Sequence, residues 1–175
     1  GDAREGIAKQ GIFERVASPA FTIEYPETSY KLDPFLPAMV MRMSLPDSGS
    51  FTVVVLDLAD DTSLQQMAQK LRQSLENFGS DVTVYSQEEF TLDCGTKALQ
   101  VNYNWLSEGY HPVSSAFVIA IKGNKYVSVG VHAPYKGHEW IAQGYEWIAR
   151  SLTFKETMQY KEMAMAESAA AEQEA

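Results

Sequence analysis

Cysteine, histidine, cationic charge and long apolar runs are all scarce in this chain, and each shortage narrows what it can be. Cys94 is the one cysteine in 175 residues, so no internal disulfide can form. Asp93 and Gly95 flank it and offer nothing to lower a thiol pKa, so the expected role of Cys94 is a small buried hydrophobe. Lys and Arg number 14 against 23 Asp and Glu, a net charge of -9. Phosphate backbones are bound by cations that displace counterions, so nucleic acid is excluded as a partner. No apolar stretch approaches the roughly 20 residues that a transmembrane helix needs. The basic and apolar regions of a signal peptide are missing too, although Gly1 followed by Asp2-Ala3-Arg4-Glu5 reads as a trimmed start, compatible with a removed export signal and its lipid anchor.

What is present is an ordinary globular composition, 45% hydrophobic and 21% charged, in a length that suits one domain with its own core. Residues 1–18 read as an N-terminal arm or short helix, 19–154 as the domain, and 155–175 as an Ala/Glu-rich tail, helical or disordered. Within the domain, Phe21, Ile23 and Tyr25 alternate with Thr22 and Glu24, the period of a half-buried strand that Pro26 ends. After a Pro-bearing loop over 30–37, Met39, Met41, Met43 and Leu45 alternate in a second strand. Phe51 to Leu58 is apolar at both parities and predicts a strand covered on both faces.

The period then changes. Leu64, Met67, Ala68, Leu71, Leu75 and Phe78 recur at helical spacing, with Ser63 and Gln66 placed for a capping box and Gly79 as the stop. Strands follow over 82–92 and 99–106, the latter with a wet face of Gln100, Asn102 and Asn104. Residues 116–121 and 126–131 flank Lys122-Gly123-Asn124-Lys125, a tight-hairpin signature. Trp140, Ile141, Gly144, Trp147, Ile148 and Leu152 predict a second helix from about His138 to Thr153. Strands apolar on both faces and two amphipathic helices together imply an α+β fold, a three-layer α/β/α sandwich on a mainly antiparallel sheet of about six or seven strands.

The Phe-x-Ile-x-Tyr-Pro opening at 21–26 and the strand leading into the Ser63–Phe78 helix resemble the PsbP-like fold group. So do the Gly95-Thr96-Lys97-Ala98 strand entry, the Gly123 hairpin and the closing Trp147-Ile148-x-x-Ser151-Leu152-x-Phe154. That group also holds the Ran-binding Mog-type proteins and the bacterial DcrB-type lipoproteins. The resemblance spans residues 12–154. It implies a non-catalytic docking or accessory role, with no catalytic residue to carry over, and an exported protein of the bacterial periplasm or envelope, a cytoplasmic one being the alternative. Fold by itself does not fix function.

The candidate binding surface is a pair of loops. Trp105, Tyr110 and His111 sit in one and His132 and Tyr135 begin the other, a grouping of aromatic, His, Gly and Pro residues that provides large contact area at low entropic cost. The same rings would serve equally to cap the sheet ends. If residues 106–113 join antiparallel neighbours, both loops lie at the sheet end opposite the Gly123 hairpin. The expected partner is a protein or a small ligand, with no cofactor.

Three other chemistries fit the residues less well. His132, His138 and Glu139 are weak metal candidates, because His138 and Glu139, adjacent on a helix, point about 100° apart and cannot easily share an ion. Asp57, Asp60 and Asp61 lack the spacing of a calcium loop. Ser114 and Ser115 near His111 suggest a hydrolase nucleophile without a Gly-x-Ser-x-Gly elbow. A small hydrolytic or metal-dependent enzyme using the loop histidines is therefore one alternative to binding. An apolar-ligand carrier with a cleft between the sheet and the Ser63 helix, walled by Met39, Met41 and Met43, is the other.

Overall fold

The computed structural model describes residues 10–134, 144–155, 165–166 and 169–173. Among the described residues nine strands fall into two antiparallel sheets. The larger has the order β3-β4-β8-β7-β6-β5, formed by β3 (Met39–Ser44), β4 (Ser50–Asp57), β5 (Gly79–Thr91), β6 (Lys97–Ser107), β7 (His111–Lys122) and β8 (Lys125–Pro134). The smaller has the order β1-β2-β9, from β1 (Gln10–Arg15), β2 (Ala20–Pro26) and β9 (Thr153–Lys155). Two helices, α1 (Leu64–Phe78) and α2 (Glu146–Arg150), lie on opposite faces of the larger sheet. This is the α+β sandwich on an antiparallel sheet that the periodicity predicts.

Each face has its own core. On one, Met67, Ala68 and Leu75 of α1 pack on Leu99, Val101, Tyr103, Phe117 and Ile119. On the other, Phe21 and Ile23 of β2 join Trp147 and Ile148 of α2 over Val53, Val118, Val127 and Val129. Alternation of side chains along each strand divides the residues between the two cores.

The local signals explain the elements. At the start of α1 the Ser63 hydroxyl accepts the Gln66 N–H at 3.1 Å while the Gln66 amide oxygen accepts the Ser63 N–H at 2.8 Å, a complete capping box. Gly79 ends the helix for a different reason than a left-handed cap. Its backbone is extended, and a Cβ there would lie 2.1 Å from the Leu106 carbonyl and 2.6 Å from the Trp105 ring, so only glycine lets β5 begin beside β6. The β7–β8 hairpin turns at Gly123 and Asn124, with φ of 62° at Gly123.

Four expectations need correction. Residues 10–15 form strand β1 on the edge of the small sheet, where an arm or short helix was expected, because Phe13 packs against Phe21 with ring centroids 6.0 Å apart. Helix α2 ends at Arg150, and Thr153 already belongs to β9. The chain leaves the helix because the Ser151 hydroxyl accepts the Glu24 N–H at 2.8 Å, and residues 153–155 then pair with β2. The part of the expected helix over 138–143 lies outside the described residues.

The wet face of β6 is also not found, since Gln100 and Asn102 are 3% and 8% exposed. They are satisfied under α2. Gln100 donates to Glu146 at 2.8 Å and to Asn102 at 3.1 Å, accepts from Arg150 at 2.5 Å, and Asn102 donates to Ser86 at 2.8 Å. Such pairing is what lets these two amides be buried. Asn104, the third residue of that face, is half-buried, and its Oδ1 has no partner among the described residues. Cys94, expected to be buried, is exposed in the turn between β5 and β6. Beyond the domain, the described tail residues, 165–166 and 169–173, are helical.

Gly130 in β8 sits under the ring of Phe117, and a Cβ there would come within 2.5 Å of that ring. Gly130→Ala therefore overpacks the sheet face and is expected to cost about 1–3 kcal/mol in chemical denaturation. Combined with Phe117→Leu, the loss should be smaller than the sum of the two single losses, as for any pair in contact.

Candidate functional site

Helix α1 packs over β5, β6 and β7. On the same face of the sheet beside it, Thr52, Ser128 and Tyr126 are buried, but Val54 is half-buried and Leu56 exposed, so β4 is not covered on both faces as its sequence predicts. On β4 that face carries Ser50, Thr52, Val54 and Leu56, which are register partners of His132, Gly130, Ser128 and Tyr126 on β8. This strip is the floor of a groove of about 1200 Å³, with α1 as one wall and the 35–38 loop as the other. Phe35 of that loop reaches across to Phe78 at the end of α1, their rings edge to face at a centroid distance of 5.6 Å. Both rings are open to solvent, at 54% and 42% exposure, so the groove has an exposed apolar edge.

One end of the groove is polar. The His132 ring links Thr52 and Ser115, with Nε2 3.2 Å from the Thr52 hydroxyl and Nδ1 2.8 Å from the Ser115 hydroxyl, and the Trp105 indole N–H donates to the same Ser115 oxygen at 2.9 Å. Every donor finds an acceptor if Ser115 donates to Nδ1 and a neutral ring donates from Nε2 to Thr52. Burial, then the nearby positive charge of Arg42, pushes the His132 pKa down to about 4. Arg42 lies in the groove wall, its guanidinium 5.3 Å from the centre of the Phe35 ring, and donates to the Asp33 carbonyl at 3.2 Å. At the other end of the groove Tyr126 is buried, which raises its phenol to about 12.

The candidate residues named from sequence are placed as follows. Trp105, His111 and His132 all line this groove. Tyr110 stands beside it at the tip of the β6–β7 hairpin, 78% exposed, with its backbone at φ 61°. Tyr135, His138 and Glu139 lie outside the described residues. The hairpin tip is at the sheet end opposite Gly123, since β7 runs from His111 to Lys122. Of the three methionines expected to wall the cleft, Met39 does so, while Met41 and Met43 are buried in the opposite core. A β-bulge is the reason. Met39 pairs with Val54 but Met41 with Val53, so the extra residue reverses the parity of the strand.

Two chemistries lose ground on this geometry. Ser115 and His132 are at the distance of a nucleophile and its base, yet Ser115 is fully buried and its oxygen already accepts from Trp105. Among the described residues no three His, Cys, Asp or Glu side chains converge as metal ligands. Asp57, from the acidic run before α1, is paired with Lys125 across β4 and β8.

Sequence reasoning did not reach Arg42, Phe35, Leu56 or Phe78. The helical period showed Phe78 and the strand period showed Leu56, but only the register places their faces on one groove.

No protein-family model matches this chain, and no curated protein matches it. Solved structures do. The chain is similar to the cyanobacterial PsbP (CyanoP) of Synechocystis sp. PCC 6803, with a TM-score of 0.63 at 11% identity over 86% of this chain and 95% of that one. It is similar to the Ran-binding protein Mog1p of Saccharomyces cerevisiae, with a TM-score of 0.61 at 12% identity over 85% and 97%. A third likeness is to LpqN of Mycobacterium tuberculosis, described as involved in cell envelope biogenesis, with a TM-score of 0.55 at 15% identity over 89% and 98%. The chain therefore has the PsbP/Mog-like fold.

The neutral His132 link gives a pH signature. The folded pKa lies below the ordinary value of 6.5, so the unfolded chain binds the extra proton, and the stability that neutral His132 contributes is complete above about pH 6.5 and is lost as pH falls toward 4. Denaturant melts at pH 7.5 and 4.5 should show a larger acid loss for the native chain than for His132→Gln.

Proposed function

We propose that this chain is a non-catalytic binding domain, acting by docking without chemistry, and that the groove between α1 and the sheet is where its ligand seats. The observation that carries this reading is the groove itself. Its volume of about 1200 Å³ is above the roughly 300–1,000 Å³ range of small-molecule sites, and it is bordered by Phe35, Leu36, Leu56 and Phe78, large apolar side chains that remain exposed. A folded chain loses free energy by leaving such a surface wet, about 25 cal/mol per Å² of apolar area, and a ligand that covers it recovers that amount.

The fold likeness to a Ran-binding protein supports binding as the class of function, and the likeness to LpqN supports the cell envelope as the place where this chain works. A second surface is favoured by one observation. Tyr110 stands at a hairpin tip on a left-handed backbone, the geometry of a ring presented to a protein partner.

Native mass spectrometry of the purified protein separates the two surfaces. An apolar small molecule retained by the native chain and by Tyr110→Ala, but lost in Leu56→Glu, is the expected result. Retention in Leu56→Glu, or a stoichiometric protein partner lost only in Tyr110→Ala, would move the function from the groove to the hairpin tip.

A further inference from the structure

Building on the groove as the ligand site, we propose that it takes a single-chain amphiphile with a carboxylate head of the fatty-acid kind, the head on Arg42 and the tail running toward Leu56 and Tyr126. The register of the sheet grades the floor of the groove from polar to apolar. Ser50, His132 and Ser115 form the first row, Arg42, Thr52 and Gly130 the second, Val54, Ser128 and Ile119 the third, and Leu56, Tyr126 and Ile121 the last. The second and last rows are four residues apart on β4, about 13 Å at roughly 3.3 Å per residue. A ligand lying along β4 therefore meets a cation at one end and only apolar or ring surface at the other.

Arg42 is suited to hold the head. It is partly buried, and its described partners are a backbone carbonyl and an aromatic ring, both of which fix its direction without cancelling its charge. Among the described residues no carboxylate pairs with it. A guanidinium offers five donors in a planar fork, and only one of them is spent on Asp33, so two remain for the parallel bonds that a carboxylate accepts. The low-polarity walls strengthen that attraction. Charge points the same way, since the chain carries a net -9 yet, among the described residues, the groove is lined by Arg42 and Lys70 against Glu108 alone.

The test is calorimetric titration of the full chain with dodecanoate, dodecanol and acetate. The proposal expects dodecanoate to bind at least about ten-fold more tightly than dodecanol, acetate not to bind, and Arg42→Gln to bring dodecanoate down to the level of dodecanol. Arg42→Lys, which keeps the charge but not the fork, should fall between. Equal affinity for dodecanoate and dodecanol in the native chain overturns the anionic head and leaves the groove reading standing. Acetate binding as well as dodecanoate would mean a free-anion site and overturn the amphiphile. If neither twelve-carbon ligand binds, the groove reading itself fails. A readout that needs no variant is the carboxyl resonance of ¹³C-labelled dodecanoate. Bound to Arg42 it should stay ionised to lower pH than in water, and protonation at higher pH than in water would overturn the assignment.

Discussion

The width of the six-stranded sheet against the width of one helix is the constraint from which the rest follows. Strands are spaced about 4.8 Å apart, so six of them span roughly 24 Å, whereas a helix with its side chains is about 10–12 Å across. One helix covers two or three strands. Among the described residues the α1 face carries that helix alone, packed over β5, β6 and β7, and a groove lies over β4 and β8 beside it. The opposite face has no such deficit, because α2 and the three-stranded sheet together close it over a continuous core. The asymmetry between the two faces is what gives the sandwich a groove on one side.

Details of the sequence preserve that asymmetry. The bulge in β3 turns Met41 and Met43 into the closed core and leaves Met39 and Arg42 to the groove. Glycine at position 130 leaves room for Phe117, which would otherwise be pushed up into the floor. The His132 link between Thr52 and Ser115 ties β4, β8 and β7 together at the polar end without introducing a second positive charge, since burial keeps the ring neutral. On the closed face the polar residues are used differently. Gln100, Asn102, Glu146 and Arg150 satisfy one another beneath α2, with the Arg150 guanidinium 4.0 Å from the centre of the Phe90 ring, and this network is what lets amides occupy a covered strand.

Much of this architecture was readable before any coordinates. Helix α1, with its Ser63 cap, the β4 and β7–β8 strands and the Gly123 turn all follow from period and turn chemistry, which are local properties. What was not readable is non-local. The burial of Gln100 and Asn102 depends on which element covers β6, and polar residues at alternate positions look the same whether they face water or a satisfied network. The end of α2 depends on a hydroxyl at Ser151 meeting a backbone N–H 127 residues away in sequence. For the site, aromatic and His residues near 105–111 and 132 drew notice by composition, whereas Arg42 and Leu56 belong to the same groove only through the strand register. A cleft beside the Ser63 helix could be expected from a helix on a sheet; its cation could not.

If the groove beside α1 is the ligand site proposed above, ligand touches one face of β4 and β8 and not the other. Because side chains alternate along β4 and β8, methyl and amide NMR shifts can tell the two faces apart at neighbouring residues. On addition of dodecanoate to the isotope-labelled chain, the side chains of Val54, Leu56, Met67 and Leu71 are expected to shift, with Val53, Val127 and Val129 unmoved. Shifts confined to the Tyr110 hairpin, or spread equally over both faces of β4, would contradict the groove as that site.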